Sequence, residues 1–211
     1  LKSKLPDYVS ADSYDIQIMS PMKKGMLGVE RLNLILQQHL NPKHPKKPEK
    51  EFDGKVYRVG DKVMQTKNNY QIEWSVKNDI GIAMEKGQGV YNGDIGIIRY
   101  INDFEEFIRV EFDDRKIVEY PYSEANQLEL AYAITIHKSQ GSEYPAVIIP
   151  MYPGPKMLMN RNLIYTAITR AKKCVVLVGI PEVFYAMVEN TKEMARYTGL
   201  KKRIKELAAL S

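Results

Sequence analysis

The sequence predicts a parallel α/β domain interrupted by a small antiparallel β-barrel, and three observations carry that expectation. The apolar runs "AVIIP" (Ala146 to Pro150) and "CVVLVG" (Cys174 to Gly179) have the composition of strands buried on both faces of a parallel sheet. The middle of the chain changes to short alternating strands separated by tight turns, the pattern of a small barrel. Between the first strand-and-helix unit and this middle lies "NPKHPKKPEKEFDGK", whose prolines forbid a helix and favour an extended, solvated connection.

The elements follow in order. "DIQIM" (Asp15 to Met19) has strand composition, and Pro21, Gly25 and Gly28 supply turn residues after it. Val29, Leu32, Leu36 and Leu40 recur three to four apart, which predicts a helix over residues 28–40 with those side chains on one face. The barrel is expected over residues 52–126, from "VGDKVMQT", "GIIRYI", "FIRVEF" and "KIVEY". There Ile108, Val110 and Phe112 alternate with Arg109, Glu111 and Asp113, the period of a strand with one wet face. "NNYQIEWSVKNDIGIAMEKGQGVYNGD" reads as a long connection holding the single Trp74, either a mobile binding loop or a segment whose tryptophan packs on the barrel. "LAYAITI" reads as one strand of the resumed α/β pattern. In "NRNLIYTAITRAKK", Leu163, Ile164, Ala167, Ile168 and Ala171 share one helix face, and Asn162, Thr166, Thr169 and Lys173 the other. Pro181 is placed to open a further helix, and Lys201 to Leu210 to form a last basic one. The expected domains are residues 1–51 and 127–211, two parts of one α/β unit, with the barrel inserted between them.

At 211 residues and 44% hydrophobic, the chain can bury one good-sized core plus a small satellite. It holds no run of roughly 20 apolar residues to cross a bilayer and no signal-peptide pattern, so no membrane partner and a cytoplasmic setting are expected. It does not begin with Met and reaches a strand almost at once, which reads as part of a longer protein. Cys174 stands alone in an apolar run, a buried small hydrophobe with no disulfide partner; three scattered histidines give no ligand spacing for a metal site. Residues 103–129 hold nine acids against three bases, a net of −6, which leaves +11 on the rest of a chain whose total is +5. That asymmetry fits a positive face for nucleic acid, and equally an uneven solvated surface.

The densest polar cluster closes "AYAITIHKSQGSE" (residues 131–143), where His137 to Glu143 follow a strand. Ligands gather at the carboxyl ends of strands in open parallel sheets, and this cluster offers a cation, hydroxyls, an amide, a carboxylate and a glycine. Those groups suit a phosphate and a sugar hydroxyl; the same residue types also build ordinary turns.

Order and content favour the first reading. "AYAITIHKSQGSEYPAVIIP" followed by "LNRNLIYTAITRAKKCVVLVG" resembles motifs V and VI of superfamily 1 helicases, in the RecD-like branch (superfamily 1B, the family of the exodeoxyribonuclease V alpha subunit). "DIQIMSPMKKGMLGVERLNLILQQHLNP" is similar to the motif IV region of that branch, and "VGDKVMQTKNNY…VYNGDIG" to the start of its SH3-like insertion, domain 2B. The resemblance implies a RecA-like, P-loop-NTPase-type parallel-sheet domain, the second motor domain 2A, carrying 2B. It implies an ATP site shared with an N-terminal RecA-like domain, single-stranded DNA across the top, and 5′ to 3′ translocation. Arg170 matches the arginine finger that reaches the γ-phosphate; Glu143 matches the ribose contact, Gly141 the backbone near that phosphate and Gln140 a phosphate-side sensor. Thr135, His137 and Lys138 match positions facing DNA, as do Ser20, Lys23 and Lys24 in the motif IV region and Asn92 and Gly93 in 2B. Structural readings stay open beside these: a buried, hydrogen-bonded His137, turn lysines at 23 and 24, and a helix-terminal charge at Arg170.

No G-x-x-x-x-G-K-S/T sequence occurs, and no strand ends in the acidic pair that holds Mg²⁺. The chain is therefore expected to supply one wall of the site for ATP and Mg²⁺, with the metal ligands in the N-terminal domain, and to be inactive alone. The resemblance also admits other recombination-nuclease subunits as partners of the parent. The competing function is a non-enzymatic nucleic-acid-binding module centred on the barrel. An exonuclease lacks the clustered carboxylates that two metals need.

Overall fold

The computed structural model describes residues 4–78, 82–191, 199, 203–205 and 208. The chain begins with a short helix, α1 (Lys4–Val9), then β1 (Gln17–Ser20), α2 (Val29–Leu40) and a hairpin of β2 (Glu49–Phe52) and β3 (Lys55–Arg58). Six strands follow: β4 (Lys62–Gln65), β5 (Asn69–Lys77), β6 (Ala83–Val90), β7 (Ile95–Asn102), β8 (Phe107–Phe112) and β9 (Lys116–Pro121). The last part contains β10 (Leu128–Leu130), β11 (Ala133–Thr135), a 3-10 turn (Ile136–Ser139), β12 (Tyr144–Met151), α3 (Arg161–Ile168), β13 (Ala171–Gly179) and α4 (Pro181–Glu189).

Two sheets organise these elements. One is four-stranded and wholly parallel, in the order β11-β1-β12-β13. Its core joins Met19, Ile134, Val147 and Ile149 of the strands to Leu163, Ile164 and Ala167 of α3, the helix face expected from the sequence. The other sheet has seven antiparallel strands, in the order β10-β4-β7-β8-β9-β5-β6. Ile108, Val110 and Phe112 of β8 alternate inward as their spacing dictates and meet Val63, Ile98 and Val118. Pro181 occupies the first turn of α4, where its missing N–H costs nothing.

Four expectations need correction. "LAYAITI" is not one strand: Leu128–Leu130 pairs with β4 in the barrel sheet, and after Ala131 and Tyr132 the chain enters the parallel sheet as Ala133–Thr135 beside β1. The barrel sheet thus runs past residue 126, and the boundary expected after residue 51 falls inside β2. The segment around Trp74 is not a long connection, although the alternative in which its tryptophan packs on the barrel holds. It forms β5 and β6, paired from Asn69↔Val90 to Lys77↔Ala83, with Trp74 packed on the barrel core and Lys116 Nζ over its ring, 5.1 Å from the centroid. β13 is an edge strand, so its apolar run is buried on one side only: Val178 is 53% exposed and Cys174 half-buried. The basic helix expected over Lys201 to Leu210 lies largely outside the described residues.

The fourth correction concerns α2. Its fully buried residues are Asn33 and Gln37, flanked by the half-buried Leu32, Leu36 and Leu40. The helix sits on the seam between the two sheets, where strand ends and turns present backbone polar groups, so its inner face must supply hydrogen bonds. Gln37 Nε2 donates to the Val56 carbonyl and to Asp61 Oδ2, and Asn41 Nδ2 to Asp61 Oδ1. The Tyr132 hydroxyl and the Arg58 backbone N–H complete four donors around that carboxylate. Burial pushes the Asp61 carboxyl up, and these donors oppose the rise.

Candidate nucleotide and nucleic-acid edges

The parallel sheet has two ends, and the expected site residues divide between them. Ser20, Thr135, Met151 and Gly179 close the strands at the carboxyl end, whereas Tyr144 and Ala171 open β12 and β13 side by side at the amino end. Gly141 to Glu143 and Arg170 immediately precede those two residues. They therefore lie at the amino end, not at the carboxyl end where the general rule for parallel sheets put them. With Ser20 level with Thr135, and Ile18 with Ile148, the six steps from Tyr144 to Pro150 separate the ends by roughly 20 Å at about 3.3 Å each.

At the amino end, the Tyr144 N–H donates to the Arg170 carbonyl at 2.8 Å, which fixes the two segments against each other. The Arg170 guanidinium is held lightly: Nη1 donates to the Ser142 carbonyl at 3.3 Å and Nη2 to Thr169 Oγ1 at 3.5 Å. Its Nε is buried without a hydrogen-bond partner, and no carboxylate among the described residues pairs with it. A half-buried cation lacking an anion is an uncommon arrangement, because desolvation of the guanidinium goes uncompensated. The Tyr144 hydroxyl is likewise buried, with no hydrogen bond of good geometry; burial raises its pKa, and the neighbouring Ser142 side chain opposes that.

Gly141 adopts φ +90°, with open space where a Cβ would stand, so backbone conformation rather than crowding selects glycine. Glu143 is exposed and carries one partner, Lys172 Nζ at 3.4 Å. Gln140 is exposed and lines a cleft of about 1420 Å³ together with His137, Asn160, Asn162 and Thr166. The polar face of α3 expected from the sequence forms part of one wall. Asn160 caps that helix by accepting from the Leu163 N–H at 2.9 Å.

At the carboxyl end, Thr135 caps the 3-10 turn by accepting from the Lys138 N–H at 3.4 Å, and His137 is exposed rather than buried. Lys138 Nζ lies 3.1 Å from Glu129 Oε2. Glu129 Oε1 also faces Lys23 Nζ at 3.6 Å and Lys55 Nζ at 3.7 Å. Burial pushes the Glu129 carboxyl up, but the hydrogen bond and charge of Lys138 and the charges of Lys23 and Lys55 outweigh it, leaving the pKa below its ordinary value. Ser20 does not face outward. It is fully buried, its hydroxyl donates to the Leu27 carbonyl at 2.7 Å and accepts from the Met22 N–H at 3.2 Å, and it braces the loop that exposes Lys23 and Lys24.

Asn92 and Gly93 form the turn from β6 to β7, where Gly93 takes φ +104°. Their N–H groups are committed to Asn68 Oδ1 and the Gln65 carbonyl, both at 2.9 Å, so those N–H groups do not point at a ligand, whereas the Asn92 side chain is exposed. Beside this turn, Tyr70 and Tyr91 stand 66% and 48% exposed with rings 5.8 Å apart. Sequence reasoning passed over Lys55, Glu129 and this aromatic pair. Lys55 had a weak signal, since it follows the Asp53-Gly54 turn; Glu129 was one acid among nine.

Known proteins share this chain's plan. Residues 32–112 match the ATP-dependent RecD-like DNA helicase SH3 domain, and residues 130–178 the UvrD-like helicase C-terminal domain. The chain is 32% identical over 190 residues to the ATP-dependent RecD2 DNA helicase of Deinococcus radiodurans, covering 90% of this chain and 23% of that protein. It is 29% identical over 189 residues to the RecBCD enzyme subunit RecD of Mycolicibacterium smegmatis, covering 90% and 29%. It thus spans well under two thirds of these relatives. The structure of Pif1 helicase from Bacteroides in complex with ADP-AlF3 and ssDNA shares its fold with TM-score 0.50 at 19% identity, over 91% of this chain and 45% of that one. A Pif1 structure described as the basis for DNA unwinding at forked dsDNA gives TM-score 0.52 at 18% identity, over 93% and 45%.

Proposed function

The chain carries the SH3 domain of RecD-like DNA helicases joined to a UvrD-like helicase C-terminal domain on a RecA-like fold, and from that premise we propose that it is the second motor half of an ATP-dependent 5′ to 3′ DNA helicase. In this reading the amino end of the parallel sheet closes an ATP site opened by an N-terminal RecA-like domain, and the carboxyl end carries single-stranded DNA. The observation that supports it most is Arg170: a guanidinium without an anion, its Nε unpartnered, beside Gly141 and Glu143.

Arg170 leaves the Ser142 carbonyl to meet the γ-phosphate, where its charge offsets the negative charge that spreads over the transferring group. In other nucleotidases such an arginine accounts for roughly 10³- to 10⁵-fold in rate. Glu143 exchanges its weak contact with Lys172 for a ribose hydroxyl, and the open backbone at Gly141 lets a phosphate approach. Mg²⁺ would supply charge neutralisation at the phosphates, with its ligands expected from the N-terminal domain. A module acting through the barrel alone would leave the unpaired Arg170 without a use.

Arg170→Ala in the full-length parent tests this. Expected is a fall of at least about 10³-fold in DNA-stimulated ATP turnover with nucleotide affinity little changed. Normal turnover in that variant would remove Arg170 from the mechanism. The present chain, given MgATP, is expected to show no turnover.

A further inference from the structure

We propose that Lys55, on the hairpin that leads into the barrel, joins Lys23 in gripping a backbone phosphate of the bound strand, with Glu129 as the residue that positions both. The inference rests on the reading that this face carries single-stranded DNA, and it adds a contact outside the helicase motifs. Three ammonium groups from three separate segments converge on one carboxylate: Lys23 from the loop after β1, Lys55 from the start of β3, and Lys138 from the 3-10 turn after β11. One carboxylate against three lysines leaves a local excess of two positive charges.

The distances divide the three lysines. Lys138, at 3.1 Å, is hydrogen-bonded to Glu129 Oε2. Lys23 and Lys55, at 3.6 and 3.7 Å from Oε1, are held by charge without a hydrogen bond, so their N–H groups remain for a second anion. Their side chains are 59% and 50% exposed. Lys55 is also well placed by its backbone. Asp53 and Gly54 both take positive φ, at 49° and 74°, the geometry of a tight two-residue hairpin turn, and Phe52 pairs with Lys55 across it. Gln37 of α2 anchors the same hairpin at the Val56 carbonyl.

Three other acids of the 103–129 segment are already held by basic neighbours. Asp103 pairs with Lys50, Glu111 with Arg99 and Glu119 with Arg109. The cluster also lies on an open edge rather than in an enclosed cavity, which suits a phosphate of a polymer running past it and not a small phosphorylated molecule. Each phosphate that a protein neutralises on a single strand releases bound counterions, so each contact contributes to the salt dependence of binding.

The test is the binding of fluorescein-labelled oligo(dT) to the full-length protein across a series of KCl concentrations, for wild type, Lys55→Gln, Lys23→Gln and the linker control Lys46→Gln. Lys55→Gln is expected to flatten the slope of log affinity against log salt by about 0.7, equivalent to roughly five-fold weaker binding at 0.1 M salt than extrapolation from 1 M gives for wild type. Lys46→Gln should leave the slope in place. If Lys23→Gln flattens the slope and Lys55→Gln does not, the contact is refuted while the DNA-binding reading stands. Equal effects of Lys55→Gln and Lys46→Gln would reduce the cluster to general surface charge and refute it as well. Wild-type binding that ignores salt would overturn the DNA-binding reading itself, and this contact with it.

Discussion

Replacing Asn33 should loosen the joint between the parallel sheet and the barrel. Asn33 is 5% exposed and its carboxamide makes three hydrogen bonds: Nδ2 donates to the Leu130 carbonyl at 2.8 Å and the Ala133 carbonyl at 3.0 Å, and Oδ1 accepts from the Ala133 N–H at 2.7 Å. β11 is the outer strand of its sheet, with β1 on one side only, so the groups of Ala133 that face away from β1 depend on this side chain. Asn33→Ala leaves one donor and two acceptors buried at the seam. An unsatisfied buried group costs about 1–3 kcal/mol, and water entering the vacated space relieves part of that, so the low end for three groups gives about 3 kcal/mol. Urea unfolding followed by circular dichroism should show that loss. Amide exchange at Ala133 should speed up by about two orders of magnitude, since each 1.4 kcal/mol is about tenfold. Asn33→Asp should also destabilise at neutral pH, because a carboxylate can accept from the Ala133 N–H but cannot donate to two carbonyls. A loss below about 1 kcal/mol for Asn33→Ala, with exchange at Ala133 unchanged, would refute the assignment of these hydrogen bonds as what holds the seam.

Two further outcomes follow from the carboxyl edge. Gly28 has no room for a side chain, since a Cβ there would stand 2.4 Å from the Lys24 carbonyl carbon and 2.8 Å from the Lys23 oxygen. Gly28→Ala should therefore displace the Lys23–Lys24 loop, with a loss of about 1–3 kcal/mol in thermal unfolding and weaker binding of oligo(dT). Glu129→Gln should cost under about 1 kcal/mol at neutral pH, the range for half-exposed ion pairs. Its pH dependence has a definite sign. The folded-state pKa of Glu129 lies below the ordinary 4.5, so its contribution is complete above that value and fades as pH falls through the folded pKa. The stability gap between wild type and Glu129→Gln, measured by urea unfolding, should close in that acid range; a gap that widens there would contradict the ion-pair assignment.

How much of this was legible in the sequence depended on whether a signal was periodic, local or long-range. The alternation in "FIRVEF" and the i, i+4 pair Leu163 and Ala167 reported buried faces correctly, because hydrophobic burial decides both, whereas Ala171, read on the same helix face, opens β13 instead. The same rule misread α2. Its apolar residues border the seam while Asn33 and Gln37 occupy the centre, since what they pack against is backbone polar groups. "LAYAITI" read as continuous because its composition does not change where the chain leaves one sheet for another; only the pairing partners, β4 and β1, reveal the break. At the site, residues contiguous in sequence were found together, but Lys55 and Glu129 meet Lys23 only through tertiary contact. Ser20 illustrates a different limit: it was matched to a DNA-facing position of the motif IV region, whereas its hydrogen bonds brace the loop from inside.

The separation of the two edges bears on how nucleotide and strand could influence each other in the proposed motor. Residues 136–143 are the covalent route between them, running from Thr135 at the carboxyl end to Tyr144 at the amino end. That route is anchored midway, for Ile136 and Ser139 are fully buried and the Ser139 hydroxyl donates to the Ile136 carbonyl at 2.7 Å. At its far end the Tyr144–Arg170 backbone hydrogen bond ties it to β13. A segment fixed at both points cannot slide along the sheet, and packed interiors transmit displacement rather than absorb it. On the proposed function, a displacement of Lys138 at the strand edge would therefore carry the sheet and Arg170 with it, so nucleotide closure and strand movement would be coupled through the domain as a rigid body, not through a local lever.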